Sequence, residues 1–248
     1  MEHFMRRLTA LVTLFVVMAA SAFATDVKDI IAKNLEAKGG LAKIKAIKTL
    51  VREGTMSMAQ GMELNFTQTY KRKNKMRMDM AFQGMNIVSA FDGETAWSVN
   101  PMAGNKPEKQ GAEESKQALD QADFDGDLVD YLEKGKKVEY VSTEDIDGTT
   151  AYKLKITAKD GKESFLYIDA TSNLEMRLDT KFAMMGQEAD VEMVYSNFQD
   201  VNGVQMANLI EMRADGQTMM SMTYTSNKAN VDVPDARFAF PAETDGKK

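Results

Sequence analysis

The segment "MELNFTQTYK", residues 62–71, alternates apolar and polar side chains with a period of two. In an extended chain this places Met62, Leu64, Phe66 and Tyr70 on one side. The segment "LEMRLDTKF", residues 174–182, alternates in the same way. Such a pattern is typical of an antiparallel sheet that has one covered face and one face in water.

Turn dipeptides recur between the alternating runs and divide the chain into short extended segments. They are Gln60-Gly61, Asp92-Gly93, Asp147-Gly148, Asp160-Gly161, Asn202-Gly203 and Asp215-Gly216. These residues favour the tight turns of β-hairpins. We therefore predict about ten or eleven strands, most of them in a meander.

Two helical regions are expected beside the sheet. Asp26 can cap a helix whose apolar residues, from Val27 to Leu35, share one face, and Gly39-Gly40 ends it, with a short second helix over 41–47. Residues 112–135 also read as helical, with a break near Asp125-Gly126. The sequence thus predicts an α+β fold, in which helices cover the concave apolar face of a strongly curved antiparallel sheet.

The first 24 residues have the features of a secretory signal peptide. Arg6 and Arg7 precede an apolar run over 8–20, and Ala22-Phe23-Ala24 is a small-x-small cleavage signal. We predict a signal peptide over 1–24 and a single domain over 25–248. Export points to the periplasm of a bacterium.

The composition argues against several functional classes. The chain has no cysteine, its single histidine is His3, and 37 acidic residues outnumber 31 basic ones for a net charge of −6. Disulfides, cysteine or histidine catalysis and the usual zinc ligand sets are therefore not expected. An acidic chain is also a poor partner for nucleic acid. We expect no cofactor and no metal site.

Methionine is the unusual residue, at 20 of 248 positions. Met56 with Met58, the trio Met76, Met78 and Met80, and Met220 with Met222 each share one face of a predicted strand. Three interpretations remain open: a Cu(I) site, since thioethers suit that ion; an irregular core filled by a flexible side chain; and a cavity for acyl chains of varied shape.

An enzymatic site is the least favoured interpretation. An acidic group that could belong to a Ca²⁺-binding loop is formed by Asp123, Asp125, Asp127 and Asp130. The final glutamate of such a loop is not in its expected place, and acids are common where a helix begins. We expect no catalytic residue.

The segment "IVSAFDGETAWSVNPM", residues 87–102, resembles the periplasmic outer-membrane lipoprotein carrier family, LolA, through Asp92, Gly93, Thr95, Trp97, Asn100 and Pro101. The segment "YKRKNKMRM", residues 70–78, is similar to the K-R-P-N segment of that family, with Lys73 where the family often has proline. The ending "ARFAFPAETDGKK", residues 236–248, is similar to the F-x-F-x-P ending of the carriers.

This resemblance implies an unclosed half-barrel of about eleven strands, with helices as a lid over a hydrophobic cavity. It implies a monomeric shuttle that takes lipoprotein acyl chains, or another lipid, from an inner-membrane transporter to an outer-membrane acceptor. The alternative is a non-transport envelope module, such as a lipid sensor or an accessory protein of another lipid export system.

The predicted cavity lining combines the strand faces with the family match. It consists of Met56, Met58, Leu64, Phe66, Met76, Met78, Met80, Trp97, Met176, Met220 and Met222. Trp97 has a second interpretation, a core anchor whose N–H is hydrogen-bonded. Arg72 matches the family arginine that holds the lid closed over an empty cavity, and otherwise it is a solvated charge at a strand end.

Overall fold

The computed structural model describes residues 26–59, 61–184 and 187–241. The predicted signal peptide, residues 1–24, lies outside the described residues. Within these ranges, no helix combines the length and the apolar composition that crossing a bilayer requires.

Three α-helices and thirteen strands make up the described chain. The helices are α1 (Val27–Ala37), α2 (Leu41–Ala46) and α3 (Ala112–Gln121). The first six strands are β1 (Thr49–Met58), β2 (Glu63–Lys71), β3 (Lys75–Phe82), β4 (Met85–Phe91), β5 (Ala96–Val99) and β6 (Pro107–Lys109). The remaining strands are β7 (Lys137–Ile146), β8 (Thr149–Thr157), β9 (Glu163–Asp169), β10 (Glu175–Met184), β11 (Gln187–Val201), β12 (Val204–Ala214) and β13 (Gln217–Ala229).

All thirteen strands form one antiparallel sheet in the order β6-β5-β4-β3-β2-β1-β13-β12-β11-β10-β9-β8-β7. Two meanders, β1 to β6 and β7 to β13, are joined where β1 pairs with β13. The sheet is not closed, because β6 and β7 are its two edges. The α+β half-barrel is confirmed, with thirteen strands instead of ten or eleven.

The strand register assigns each side chain to a face, since residues directly opposite in an antiparallel pair point the same way. Leu50 of β1 is opposite Tyr70 of β2, and Tyr70 is opposite Met76 of β3. Leu50 packs against α2, so these residues belong to the face that the helices cover, here named the inner face. The opposite side of the sheet is the outer face.

The first two helices begin and end as predicted. The Asp26 carboxylate accepts the N–H of Lys28 at 2.9 Å, and Gly39 takes a φ of 113° after α1. Glycine is required at position 39 because a Cβ would lie 2.0 Å from the carbonyl oxygen of Gly203. The tight exit of α1 thus sets the helix against the β11–β12 turn.

The prediction of helix over 112–135 is wrong for its second half. Helix α3 ends at Gln121, and residues 123–135, here named the acidic segment, form turns. Gly126 and Asp130 have φ values of 86° and 51°, which a continuous helix does not allow. The turns bring the carboxylates of this segment within reach of cations on neighbouring elements.

The helices and the acidic segment cover the inner face in three places. Ile30 and Ile31 of α1 pack with Leu128 on strands β7 to β9. Ile44 of α2 packs with Val129 near the start of β1 and the β11–β12 turn. Helix α3 covers β3 to β5, where Ala118, Ala122, Met76, Phe91 and Ala96 form one cluster. We name α1, α2 and the acidic segment together the lid.

The outer face of the first meander is covered by the last described residues, 231–241. Phe238 is fully buried there, and Phe240 packs edge-on against Trp97 with ring centres 6.1 Å apart. The carboxylate of Asp235 accepts hydrogen bonds from Lys71 and Lys75 at 2.8 and 3.2 Å. The C-terminal segment is therefore fastened to the side of the sheet opposite the lid.

Candidate functional site

The uncovered part of the inner face carries an apolar group rich in methionine. Its buried members are Met56, Leu64, Phe66, Met222 and Tyr224, and Met78, Met80, Phe82, Ile210 and Met220 pack around them. We name this set the methionine cluster. It lies where β1, β2, β3, β12 and β13 continue beyond the lid.

The register confirms that the paired methionines share a face. Met56 lies opposite Met222, and Met58 lies opposite Met220. Met76, Met78 and Met80 are opposite the inner-face residues of β2, with Met76 under α3 and the other two in the methionine cluster. Unbranched thioether side chains can repack at low cost, so this surface can adapt to an occupant of variable shape.

The methionine cluster is closely packed. Leu64 and Phe66 are buried. A small cavity of about 150 Å³ near Phe66 and Met80 opens on the outer face, because its other lining residues, among them Asn65, Thr67 and Asp79, point to that side. A larger cavity of about 470 Å³ lies beside α3, where Phe91, Thr95 and Leu119 contribute to its wall. An acyl chain would have to displace cluster side chains in order to lie on the inner face.

Two of the residues predicted to line the cavity lie elsewhere. Trp97 of β5 is opposite Ala90, on the outer face, and its indole N–H donates to the carbonyl of Phe238 at 2.8 Å. The core-anchor interpretation of Trp97 is therefore correct, and its assignment to the cavity is wrong. The reason is parity: in β5 it is Ala96, opposite Phe91, that points inward.

Met176 is the second exception. It lies at a shift in register between Glu175 and Arg177 of β10, and two strands separate β10 from β13. Met176 is half-buried there. Met58 stays on the cluster face but lies at its rim, 38 % exposed.

Arg72 joins the sheet to two parts of the lid. Its Nε donates to the carbonyl of Ile47 at 2.7 Å and its Nη2 to that of Ile44 at 3.0 Å, both at the end of α2. Nη1 and Nη2 also form a two-pronged pair with the Asp125 carboxylate at 2.6 and 2.7 Å. The guanidinium lies over the ring of Phe124 at 4.8 Å. This residue is not a solvated charge at a strand end.

The other carboxylates of the acidic segment are paired in a similar way. Asp123 binds Lys134 at 2.5 Å, Asp127 binds Lys136 at 2.6 Å, and Asp130 binds Lys45 of α2 at 2.6 Å. Lys38, at the end of α1, binds Glu175 of β10 at 2.9 Å. Because each of the four aspartates of the segment has a cation, these residues fasten the lid to itself and to the sheet.

A second arginine lies on the inner face between the lid and the methionine cluster, and sequence reasoning missed it. Arg52 of β1 is buried, and its guanidinium lies over the ring of Tyr224 at 3.4 Å. Its Nε donates to Asn227 Oδ1 at 2.6 Å. The alternation in β1 places Arg52 with Leu50 and could have shown this, but a charged residue in a strand is usually read as solvent-facing.

Burial controls the ionisation of the groups around Arg52. Desolvation raises the pKa of the Tyr70 and Tyr224 phenols and lowers the pKa of the Arg52 guanidinium. The phenols are therefore neutral at neutral pH, and the Tyr224 hydroxyl donates to Gln68 Oε1 at 2.8 Å. The guanidinium is the charge of this region.

Within the described part of the chain, no group of three or more His, Cys, Asp and Glu side chains converges in a way that could hold a metal ion. The acidic segment conforms to this, because each of its four aspartates is paired with a different cation.

Comparison with known proteins gives matches at the level of structure. No protein-family model and no curated protein sequence matches the chain. A DUF1329 family protein from Desulfovibrio piger is similar in structure with a TM-score of 0.59 at 14 % identity, covering 86 % of this chain and 97 % of its own. A LolA superfamily protein from Nitrosomonas europaea gives 0.56 at 14 % identity, covering 87 % and 98 %.

A domain assigned to outer membrane lipoprotein sorting, from Vibrio parahaemolyticus, gives a TM-score of 0.56 at 10 % identity and covers 85 % of this chain and 94 % of its own. At such identities the likeness establishes the fold. It agrees with the fold that the resemblance in residues 87–102 implies. The chain therefore has the fold of LolA superfamily and lipoprotein-sorting domains.

Proposed function

We propose that this protein is a periplasmic carrier that holds the acyl chains of lipoproteins or other lipids on its inner face. The observation that carries the proposal is the combination of an apolar, methionine-rich half of the inner face with a lid fastened by Arg72. The carrier fold supports the proposal.

The energetics fit a shuttle that needs no catalytic residue. Each methylene that leaves water is worth about 0.8 kcal/mol, so a chain that buries part of its length binds firmly and can still be released. The cost of displacing the packed cluster and of opening the lid is subtracted from that gain. Release then depends on a lid whose open and closed states are close in free energy.

Transport also requires partners, which we propose to be an inner-membrane transporter and an outer-membrane acceptor. The acidic balance of the chain, −6 overall, suits basic contact patches on such proteins. In this proposal the protein acts as a monomer, with residues 25–248 as its single domain after the signal peptide is removed.

The direct test is the content and affinity of the purified protein. We expect acyl species to co-purify after native extraction and to appear in native mass spectrometry. Met78→Gln should weaken the binding of an acyl probe by roughly tenfold, because it puts an amide in the methionine cluster. Met102→Gln is the matched control, since Met102 is 73 % exposed. Purified protein that neither contains nor binds an amphiphile would exclude a carrier.

Carrier and sensor roles are separated by depletion in the source bacterium. A carrier predicts that lipoproteins or lipids accumulate at the inner membrane when the protein is removed. Unchanged membrane fractions, together with intact acyl binding, would instead indicate the non-transport module. Fractionation of the cells also tests the periplasmic location.

A further inference from the structure

Arg52 differs from every other arginine in the described ranges. Arg72, Arg77, Arg177, Arg213 and Arg237 each form an ion pair with a carboxylate. Among the described residues, Arg52 has no such partner, although it is 8 % exposed and thus one of the more deeply buried charges. A buried arginine is ordinarily paired with an acid.

The partners of Arg52 are neutral groups of the sheet itself. Nη2 donates to the carbonyl of Ala207 at 2.5 Å and reaches Asn208 Oδ1 at 3.5 Å, and Nε donates to Asn227 Oδ1. Nη1 has no acceptor within the part of the chain that the structure describes. Nη1 keeps some contact with solvent, so the guanidinium is held in place by its other nitrogens, with Nη1 open to a further acceptor and the charge without a counter-charge among the described residues.

An unmatched buried charge is costly, and an anion is what would offset the cost. Neutral acceptors satisfy hydrogen bonds but leave the charge without a counter-charge in a medium of low polarity. Hydrogen bonds between a guanidinium and an anionic oxygen are among the strongest in proteins. The geometry of the site is preformed, because two strands besides its own, β12 and β13, supply the contacts of Arg52.

The position of Arg52 relates this charge to the methionine cluster. Tyr224 lies under the guanidinium and is also a member of the cluster, where its ring meets Phe66 edge-on at 5.3 Å. On the side of Arg52 that faces away from the cluster, the ring of Tyr70 packs against the ring of Phe124 of the lid, with ring centres 5.7 Å apart. A chain lying on the cluster would thus bring its end group to Arg52, at the edge of the lid.

We propose that Arg52 binds the anionic head group of an amphiphile whose acyl chain lies on the methionine cluster. The inference rests on the proposed function and narrows its cargo to chains that end in an anionic oxygen group, a carboxylate or a phosphate. A chain that ends in an uncharged ester can accept a hydrogen bond from the guanidinium but does not offset its charge. Arg52 is then a selectivity residue, while the cluster supplies the affinity that all chains share.

The test compares laurate, its uncharged methyl ester and inorganic phosphate on the full-length mature protein, by displacement of a fluorescent apolar dye and by titration calorimetry. The wild-type protein should bind laurate at least about tenfold more tightly than the ester, from the charge-assisted hydrogen bond. Arg52→Gln should lose that preference and keep the affinity for the ester. Arg213→Gln, which removes an outer-face charge paired with Glu211, should leave both affinities unchanged.

The outcomes separate this inference from the proposed function. Equal wild-type affinities for laurate and its ester overturn the head-group site without affecting the carrier, and this comparison does not depend on any variant folding. Retained laurate preference in Arg52→Gln overturns it as well. Inorganic phosphate that binds as tightly as laurate indicates a free-anion site and refutes the link to a chain. Failure of both laurate and the ester to bind the wild type counts against the carrier itself.

Discussion

Replacing Arg72 by methionine should loosen the lid and, at the same time, tighten acyl binding. Methionine keeps a long unbranched side chain but removes all four hydrogen bonds of the guanidinium, to Ile44, to Ile47 and twice to Asp125. The substitution also leaves the Asp125 carboxylate, 8 % exposed, without its cation. The substitution therefore destabilises the closed lid, which depends on these contacts, and hardly changes the stability of an open lid, in which they are already broken.

The magnitude follows from the burial of the pair. Removing one partner of a buried ion pair costs about 3–5 kcal/mol. The side chain of Arg72 is 26 % exposed, so water compensates part of the loss, and we expect about 2–3 kcal/mol. If the closed lid competes with cargo, weakening it by about 2 kcal/mol raises the apparent affinity for a chain by up to roughly 30-fold.

The assay is hydrogen exchange of the lid amides together with acyl titration. Exchange should accelerate in α2 and in residues 123–130, while the amides of β8 and β9 keep their protection. Asp125→Asn added to Arg72→Met should recover part of the stability, because it removes the unpaired charge. Arg213→Met is the matched control. Unchanged exchange in α2, or weaker acyl binding by Arg72→Met in a folded protein, would refute this account of the lid.

Three further outcomes are expected. Changing the three methionines of β3 to leucine should leave folding and acyl binding within a few-fold of wild type, measured by thermal unfolding and titration, whereas a thioether metal site would lose Cu(I). The fluorescence of Trp97 should not respond to acyl probes, because the indole lies on the outer face, and a saturable change would place the chain there instead. Hydrogen bonds from Lys71 and then Lys75 lower the pKa of Asp235 below its ordinary value of 3.8. The pairing stabilises the fold at pH values above the ordinary pKa of 3.8 and is lost as the pH falls through the lowered pKa. Asp235→Asn should therefore reduce the melting temperature at pH 7 and not at pH 2. An equal reduction at both pH values would contradict this.

Local patterns predicted the elements that depend on neighbouring residues. The alternation in residues 62–71 gave the correct inner face of β2, and the Asp26 cap and Gly39 gave the bounds of α1. These features depend on the 2.0 and 3.6 periods and on turn chemistry, which act within a few residues. For the same reason the inner-face methionines of β1, β3 and β13 were assigned correctly.

Features that depend on distant residues could not be read in this way. The pairing of β1 with β13 joins segments about 170 positions apart, and the parity of Trp97 depends on the turn that precedes β5. The acidic segment forms turns and not the predicted helix, because its aspartates pair with Lys45 and Arg72, which lie far away in sequence. Arg52 was missed because its partners belong to β12 and β13, which only the folded sheet brings close.

The pairing of β1 with β13 has a consequence for how the chain folds. Every other strand pair joins neighbours along the sequence, so each meander can form by successive hairpins, which is fast. Joining the meanders requires closure of a very long loop, and non-local pairings of this kind slow folding. We expect formation of this seam to limit the refolding rate. Arg52, which reaches from β1 past β13 to the Ala207 carbonyl on β12, can form its contacts only once the seam has closed.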